Sequence, residues 1–181
     1  MAAAGISADD IPVVAFSVGE EELSGLDTAN LVGHLAAWTY FQSAESDLND
    51  AFIKDWQATM GENRVTNDPM EAHVIGFEMY VKAVEKAGTT NVDAVRKAMY
   101  GLKVPNLTGG MAEMLPNHHL AKPVLIGEIQ ADGQFDIISQ TSEVPGDAWT
   151  DFLAESKPLM SDWKDMGCGC LLYTSDAADE P

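Results

Sequence analysis

Apolar side chains recur every three or four residues between Asp68 and Gly88. Residues at this spacing share one face of an α-helix, so the pattern predicts an amphipathic helix that buries its apolar face against another element. Asp68 and Glu71 suit an N-terminal capping box around Pro69, and Gly88 suits a left-handed C-terminal end. The predicted apolar face consists of Met70, Val74, Phe77, Val81 and Val84, widened by Ile75 and Met79.

Two shorter segments, 46–61 and 92–101, also have helical periodicity. The first ends at Gly61 and the second at Gly101, and glycine commonly terminates a helix because it adopts the left-handed conformation without strain. Thr90 is the predicted N-cap of the second of these helices. The middle of the chain is therefore expected to be largely helical.

Apolar runs rich in β-branched residues predict strands elsewhere. Residues 10–18 form a run without alternation, which indicates a strand buried on both faces, as in a parallel sheet. Residues 31–41 predict a second strand, and residues 64–66 a short one. Residues 111–115 predict a strand at the edge of a sheet.

The sequence also predicts a β-hairpin. Residues 124–130 and 135–139 are two apolar runs separated by a segment that contains Asp132 and Gly133. An Asp-Gly pair between such runs is a strong hairpin signal, because both residues tolerate the positive φ angles of a tight turn.

The acidic composition narrows the class of partner. The chain has 29 Asp and Glu residues against 10 Lys and Arg residues, a formal net charge of −19. Nucleic acids and anionic membrane surfaces are bound through basic patches, so neither is expected as a partner. No apolar run approaches the roughly 18 residues that cross a bilayer, so no membrane insertion is expected. Cys168 and Cys170 are too close in sequence to favour a structural disulfide.

Candidate binding residues follow the first predicted strand. If residues 20–23 form the first turn of a short helix, Ser17 and Glu20 lie at the carboxyl edge of the sheet, where ligands bind in open α/β sheets. The alternative is that Glu20, Glu21 and Glu22 only complement the positive end of that helix. The residues alone leave both interpretations open.

Aromatic residues cluster at the end of the second predicted strand. Trp38 and Tyr40 each combine an apolar ring with a polar group, so they can line a pocket for a small ligand. Packing in the core is the alternative for both. His34, inside the same strand, is expected to be a satisfied core or edge residue.

The sequence contains no assembled catalytic group. His118 and His119 form the only histidine pair, but adjacent side chains on an extended segment point to opposite faces and do not converge on one metal. No nucleophile elbow, P-loop or dinucleotide-binding glycine fingerprint is present. We therefore expect a binding protein that is not an enzyme and needs no cofactor, with a metal hydrolase using His118 or His119 as the alternative.

Several segments resemble one known family closely. They are IPVVAFSVGEEEL, LVGHLAAWTYFQS, VTNDPMEAH, VDAVRKAMYG and PNHHLAKPVLIGEIQADGQFDI. They resemble the C-terminal half of the urea or short-chain-amide binding proteins that deliver solute to ABC importers, within the branched-chain-amino-acid-binding superfamily. The resemblance implies an α/β chain with part of a type I periplasmic binding fold, in which parallel sheets flanked by helices form two lobes.

The resemblance further implies how the chain is divided between these lobes, with the opening units of the first lobe, most of the second lobe and the export signal lying outside this sequence. The segment after residue 166 departs from the family and looks like a translated sequencing adapter. The expected segments are the end of a second-lobe segment at 1–37, a hinge crossover at 38–41, a first-lobe segment at 42–122, a second-lobe return hairpin at 123–143, a C-terminal tail at 144–166 and a non-native, disordered extension at 167–181.

The resemblance places Ser17, Glu20, Trp38 and Tyr40 nearest the ligand. A neutral amide needs acceptors for its N–H groups, donors for its carbonyl and an aromatic wall, and these residue types supply them. Urea or a short-chain amide, the permease subunits of an ABC transporter and a periplasmic location follow from the same resemblance. A cytoplasmic amide-sensing regulatory protein of the same fold and a branched-chain amino acid binding protein are the alternatives.

Overall fold

The computed structural model describes residues 6–146 of the chain, which contain both strands and helices. Mixed α/β architecture is thereby confirmed. The strands are β1 (Val14–Ala15), β2 (Leu35–Trp38), β3 (Lys103–Pro105), β4 (Met111–Met114), β5 (Leu120–Ala121), β6 (Leu125–Ile129) and β7 (Phe135–Gln140). The helices are α1 (Glu20–Leu23), α2 (Asp47–Met60), α3 (Asp68–Ala87) and α4 (Val92–Met99), with a 3-10 turn at Thr28–Asn30.

The first sheet has the strand order β1-β2-β6-β7. β1 and β2 are parallel, whereas β6 is antiparallel to β2 and to β7. Phe41 and Phe135 stack over this sheet with their ring centroids 4.3 Å apart. A Cβ atom at Gly127 would lie 2.9 Å from the Phe135 ring and 3.0 Å from the Phe41 ring, so the stacking requires glycine there. The two rings belong to the hydrophobic core of this part of the chain, which consists of Leu23, Ala36, Phe41, Leu125, Ile129 and Phe135.

The second sheet has the order β3-β4-β5, with antiparallel pairs throughout. It packs against α3, and the shared core consists of Ile75, Met79, Val104 and Ala112. The predicted edge strand at 111–115 is confirmed as a strand, β4, but its predicted edge position is wrong. β4 has a neighbour on each side because the chain adds β3 before it and β5 after it.

The strand predicted at 10–18 is much shorter than expected. Only Val14–Ala15 pairs with β2, and the side chains of Val14 and Phe16 are exposed, Phe16 by 76%. The predicted burial on both faces is wrong, since β1 ends the described sheet and has a single neighbour. The strand predicted at 64–66 is also wrong, because the Thr66 N–H binds the Gln42 side chain instead of a strand partner.

The helices are confirmed, but two of their N-caps lie one residue from the expected position. α2 is capped by Ser46 and ends at Gly61. α3 is capped by Asn67 instead of Asp68, and α4 by Asn91 instead of Thr90. In α3 and α4 the asparagine side chain accepts a hydrogen bond from the backbone N–H three residues later. Asp68 instead lies inside the first turn, where it bonds another segment.

The predicted apolar face of α3 is confirmed at Ile75 and Met79 but wrong at Val74, Phe77 and Val81. Ile75, Met79 and Ala83 are buried, whereas Phe77 is 70% exposed and Val81 is also exposed. The second sheet lies against the side of the helix that carries Ile75, so the predicted central stripe faces outward. Glu71, expected in a capping box, is buried in an ion pair with Lys122.

The predicted hairpin is confirmed as β6 and β7. The Gln134 N–H donates to the Asp132 carboxylate at 3.0 Å, and Gly133 has a φ of 79°, which explains the need for glycine in this turn. Nearly all of the predicted tail at 144–166, the predicted non-native extension at 167–181 and both cysteines lie outside the described residues.

Candidate functional site

The candidate site lies where the two parallel strands end. β1 and β2 run in the same direction, so their carboxyl ends reach the same edge of the sheet. Ser17 and Glu20 follow β1, and Trp38 ends β2. Three of the four predicted binding residues therefore come from one sheet edge, which is the usual ligand position in open α/β sheets.

Close approach at Gly19 brings three elements together. A Cβ atom at this position would lie 3.4 Å from Trp38 Cζ3 and 3.8 Å from Asn67 Cβ. The turn between β1 and α1 thus packs against the Trp38 ring and the N-cap of α3. The Gly19 N–H donates to the Glu22 carboxylate at 2.8 Å, which fixes the start of α1 and hence the backbone of Glu20.

Glu20 is the most chemically distinctive residue of this edge. It is only 1% exposed, and its Oε1 accepts a bond of 2.6 Å from the Gln42 N–H. Its Oε2 is buried without a hydrogen-bond partner among the described residues. Burial raises the pKa of Glu20 to about 7, and the nearby charges of Glu22 and Asp68 act in the same direction. One carboxylate oxygen therefore has no hydrogen-bond partner among the described residues and is shielded from solvent.

Tyr40 follows β2 by two residues. Its side chain is completely buried, and its hydroxyl donates to Asn49 Oδ1 at 2.7 Å and lies 2.7 Å from Thr66 Oγ1. The Asn49 side-chain amide donates in turn to the carbonyls of Gln42 and Ala44. Tyr40 consequently fixes the segment that carries Gln42, the partner of Glu20.

Gln42 joins the first sheet to the helical half of the chain. It is not among the residues predicted from the sequence. Its backbone N–H binds Glu20, and its side-chain amide donates to Gln134 at 3.1 Å. Its side-chain oxygen accepts from the Thr66 N–H at 2.7 Å. A glutamine in a polar loop gives no periodicity or motif signal, so only the fold reveals this role.

A second buried polar group adjoins the site through Thr39. The Thr39 N–H donates to the Asp68 carboxylate at 3.0 Å, and its hydroxyl accepts from Lys122 Nζ at 3.2 Å. Lys122 also pairs with Glu71. Burial raises the pKa of Glu71 to about 7 despite the opposing attraction of Lys122. Burial likewise raises the pKa of Asp68, against the bonds from Thr39.

The histidines lie apart from the candidate site or serve the fold. His34 is buried, and its Nδ1 accepts from the Val13 N–H at 3.3 Å, but its Nε2 has no partner among the described residues. The expected hydrogen-bond satisfaction is therefore met at only one ring nitrogen. His118 has a φ of 68° and an exposed imidazole 2.8 Å from the Tyr100 hydroxyl. Within residues 6–146, no three acidic, histidine or cysteine side chains form a group suited to a metal ion.

Comparison with protein families matches residues 1–155 to the periplasmic binding protein domain. A curated relative, named limonene hydroxylase, from Geobacillus stearothermophilus is 30% identical over 129 residues. That match covers 71% of this chain but only 22% of the relative. The relative's name therefore describes a protein of which this chain corresponds to a small part.

Solved structures with a similar fold are solute-binding proteins of ABC transporters. An amino acid ABC transporter substrate-binding protein from Pseudomonas fluorescens Pf-5 has 21% identity and a TM-score of 0.63, covering 76% of this chain and 39% of its own. One from Rhodopseudomonas palustris HaA2, in complex with p-hydroxybenzoic acid, has 20% identity, a TM-score of 0.65 and the same coverage. One from Rhodopseudomonas palustris BisB5, in complex with 3,4-dihydroxybenzoic acid, has 17% identity and a TM-score of 0.70, covering 79% and 40%.

These values show a shared fold over part of each structure. The chain spans about two fifths of the length of the solved structures it matches, 39% to 40%. Among the helices of residues 6–146, none combines the length and apolar character that crossing a membrane requires.

Proposed function

We propose, from the premise that the chain belongs to the periplasmic binding protein domain family, that it binds urea or a short-chain amide as part of an ABC transporter's solute-binding component. Binding without catalysis is the expected activity. The permease subunits of the transporter are the proposed protein partners, and the periplasm is the proposed location. The observation that carries the choice of ligand is the Glu20 carboxylate.

Glu20 favours a ligand rich in N–H groups. Its Oε2 is buried without a partner among the described residues, and an unsatisfied buried acceptor is costly unless a donor reaches it. Urea and primary amides present N–H donors and carry no charge. Glu22 and Asp68 lie near enough to raise the pKa of Glu20, so a second carboxylate brought by a ligand would meet repulsion.

The nearby cations are already occupied by other partners. Lys122 bonds Glu71 and Thr39, and Arg64 pairs with Glu21 at 3.3 Å near the surface. A ligand carboxylate would have to displace one of these acidic partners. The edge around Glu20 is thus better suited to a neutral amide than to aromatic acids of the kind bound in two of the similar structures.

The other predicted residues support the same ligand in different ways. Trp38 is half-buried against Gly19 and offers an aromatic wall. Ser17 is exposed, and its hydroxyl can donate to a ligand carbonyl. We propose an indirect role for Tyr40, because its hydroxyl already lies within bonding distance of Asn49 and Thr66.

We also propose the division of the chain implied by the family resemblance. The first sheet draws β1 and β2 from one part of the sequence and β6 and β7 from another. This arrangement supports a second-lobe segment at 1–37 and a return hairpin at 123–143. The helices and the second sheet between them support a first-lobe segment at 42–122, entered through a hinge crossover at 38–41.

Isothermal titration of the whole chain with urea, acetamide and benzoate tests the ligand class. A donor-rich ligand needs ionised Glu20, and with a pKa of about 7 the ionised fraction rises from about one tenth at pH 6 to about nine tenths at pH 8. Affinity for urea or acetamide should therefore rise up to roughly tenfold over this range. Binding should be weak in absolute terms, because Glu20 Oε2 is buried and has to be uncovered before a ligand can reach it.

Glu20→Gln should lower amide affinity by about 10- to 100-fold and abolish its pH dependence. Glu85→Gln, at an exposed position of α3, is the matched control and should change neither. Benzoate that binds more tightly than the amides, with affinity rising at lower pH, would contradict the proposed ligand class. Unchanged amide affinity in Glu20→Gln would contradict the role of Glu20.

A further inference from the structure

We propose that Lys122 is a positioning residue that holds together three chain segments that enter or leave the first sheet. These segments are residues 39–46 after β2, residues 122–124 before β6, and residues 141–144 after β7. The contacts of Lys122 set how two halves of the chain lie relative to each other, whichever ligand is bound. One half is the first sheet, and the other contains α3, α4 and the second sheet.

The Lys122 side chain joins the first of these segments to α3. Its ammonium group donates to Thr39 Oγ1 at 3.2 Å, at the exit from β2, and to the Glu71 carboxylate in the first turn of α3. Lys122 is 6% exposed and Glu71 is 0% exposed. A buried ammonium group is tolerated only where nearly all its bonding capacity is used, so these contacts strongly restrict where the two elements can lie.

The Lys122 main chain holds the third segment. Its N–H donates to the Val144 carbonyl at 3.2 Å, and its carbonyl accepts from the Val144 N–H at 2.8 Å. This isolated antiparallel bridge lies outside every named strand. One residue therefore contacts the exit from β2, the start of α3 and the exit from β7.

Asp68 completes the connection at Thr39. Its carboxylate accepts bonds from both the N–H and the hydroxyl of Thr39. Thr39 is thus held by α3 through Asp68 and by Lys122 through its hydroxyl. Because Thr39 directly follows Trp38, this cluster of Thr39, Asp68, Glu71 and Lys122 adjoins the candidate site.

The physical reason for a positioning role is the cost of alternatives. If the two halves moved apart at these segments, the Lys122 ammonium group would lose Thr39 or, if it followed Thr39, would lose Glu71. Either loss is unfavourable for a buried charge. An apolar pair of similar volume would fill the same space without demanding one geometry. The charged cluster therefore selects a single arrangement, whatever it contributes to overall stability.

Distance measurement between two spin labels tests this inference on the whole chain. Cys168 and Cys170 are changed to serine, and labels are attached to Leu26→Cys and Val92→Cys, which are exposed positions in the two halves. The informative variant is Lys122→Met combined with Glu71→Gln, because it leaves no buried charge unpaired at these two positions. Lys103→Met is the matched control, since Lys103 pairs with Glu113 at 2.8 Å but is half exposed.

We expect the double variant to melt cooperatively and to populate a second inter-label distance. The population at this second distance should be about tenfold larger than in the parent chain. Losing one hydrogen bond to a charged group changes an equilibrium constant by about that factor. Lys103→Met should keep the distance distribution of the parent chain. Thr39→Val, which removes the hydroxyl without burying a new charge, should give a smaller increase and replaces the double variant if that variant does not fold.

Two results would overturn the inference. An unchanged distance distribution in a folded Lys122 variant or in Thr39→Val would show that the cluster stabilises the fold without positioning its halves. Equal broadening in Lys103→Met would show that any lost lysine pair has the same effect. Neither result depends on ligand binding, so both are separate from the test of the proposed function.

Discussion

The first turn of α3 buries charged side chains, whereas the middle of the same helix exposes apolar ones. Asp68 and Glu71, both carboxylates, are buried, whereas Phe77 and Val81 are exposed. Hydrophobicity alone predicts the reverse. What distinguishes the two regions is the element that lies opposite each of them.

The first turn faces groups that compensate its charge. Thr39 donates to Asp68, and Lys122 pairs with Glu71, so burial there is accompanied by bonds to one oxygen of each carboxylate. Glu71 Oε1 has no partner among the described residues. The middle of the helix has the second sheet on the side of Ile75 and Met79 only. Phe77 lies on the other side of the helix and is 70% exposed.

Glu71→Leu should produce the largest loss of stability, about 3–5 kcal/mol, because it leaves the Lys122 ammonium buried without its carboxylate partner. Thermal unfolding followed by circular dichroism measures this effect. Combining Glu71→Leu with Lys122→Met should restore most of the loss, since an apolar pair replaces the ionic one.

The matched control for this prediction is Glu78→Leu. Glu78 also pairs with a lysine, Lys82, at 2.9 Å, but both side chains are 40% exposed. Its loss should cost less than about 1 kcal/mol. Equal losses for Glu71→Leu and Glu78→Leu would mean that burial of the first ion pair has no energetic consequence.

Tyr40→Phe should have an intermediate effect, a loss of about 1–3 kcal/mol, because Asn49 and Thr66 each lose a buried partner. Tyr80→Phe is the control, since Tyr80 is exposed on α3, and it should be nearly neutral. If Tyr40→Phe reduced ligand affinity without reducing the melting temperature, Tyr40 would contact the ligand directly, and the indirect role proposed here would be wrong.

Phe77→Ser should have the smallest effect on stability, within about 0.5 kcal/mol, because the side chain is already 70% exposed. It should reduce self-association, since exposed apolar patches promote it. Met79→Ala, two positions away and fully buried, should cost about 2–5 kcal/mol. Thermal melts and sedimentation of the two variants test the contrast, and a large destabilisation by Phe77→Ser would show that its face packs against part of the protein.

Local signals correctly predicted most of the elements. Apolar periodicity indicated α2, α3 and α4, and the Asp132–Gly133 turn indicated the hairpin of β6 and β7. The caps were displaced by one residue because Asn67 and Asn91 stand next to equally suitable candidates, Asp68 and Thr90. Which neighbouring side chain caps a helix depends on the path of the chain into it, and sequence spacing does not specify that path.

The residues of the candidate site also fall into two groups, those that local sequence signals predict and those that they do not. Ser17, Glu20 and Trp38 were predicted from strand ends and from the family resemblance, and the structure places them at one sheet edge. Gln42 and Lys122 carried no local signal, because each acts through residues far away in sequence. Local sequence signals therefore indicate residues next to predicted elements, whereas residues that connect distant elements carry no such signal.

The sequence by itself determined the positions of the helices, the hairpin turn and the acidic character of the chain, since each depends on neighbouring residues or on composition. Only the tertiary structure decided which face of α3 is buried, which oxygen of Glu20 is without a partner, and why Lys122 can lie in the interior. Helical periodicity reports that a helix has an apolar side, but burial depends on where a sheet happens to lie. A buried charge is stable only beside its partners, and for Lys122 those partners come from positions 39 and 71, far from it in the chain.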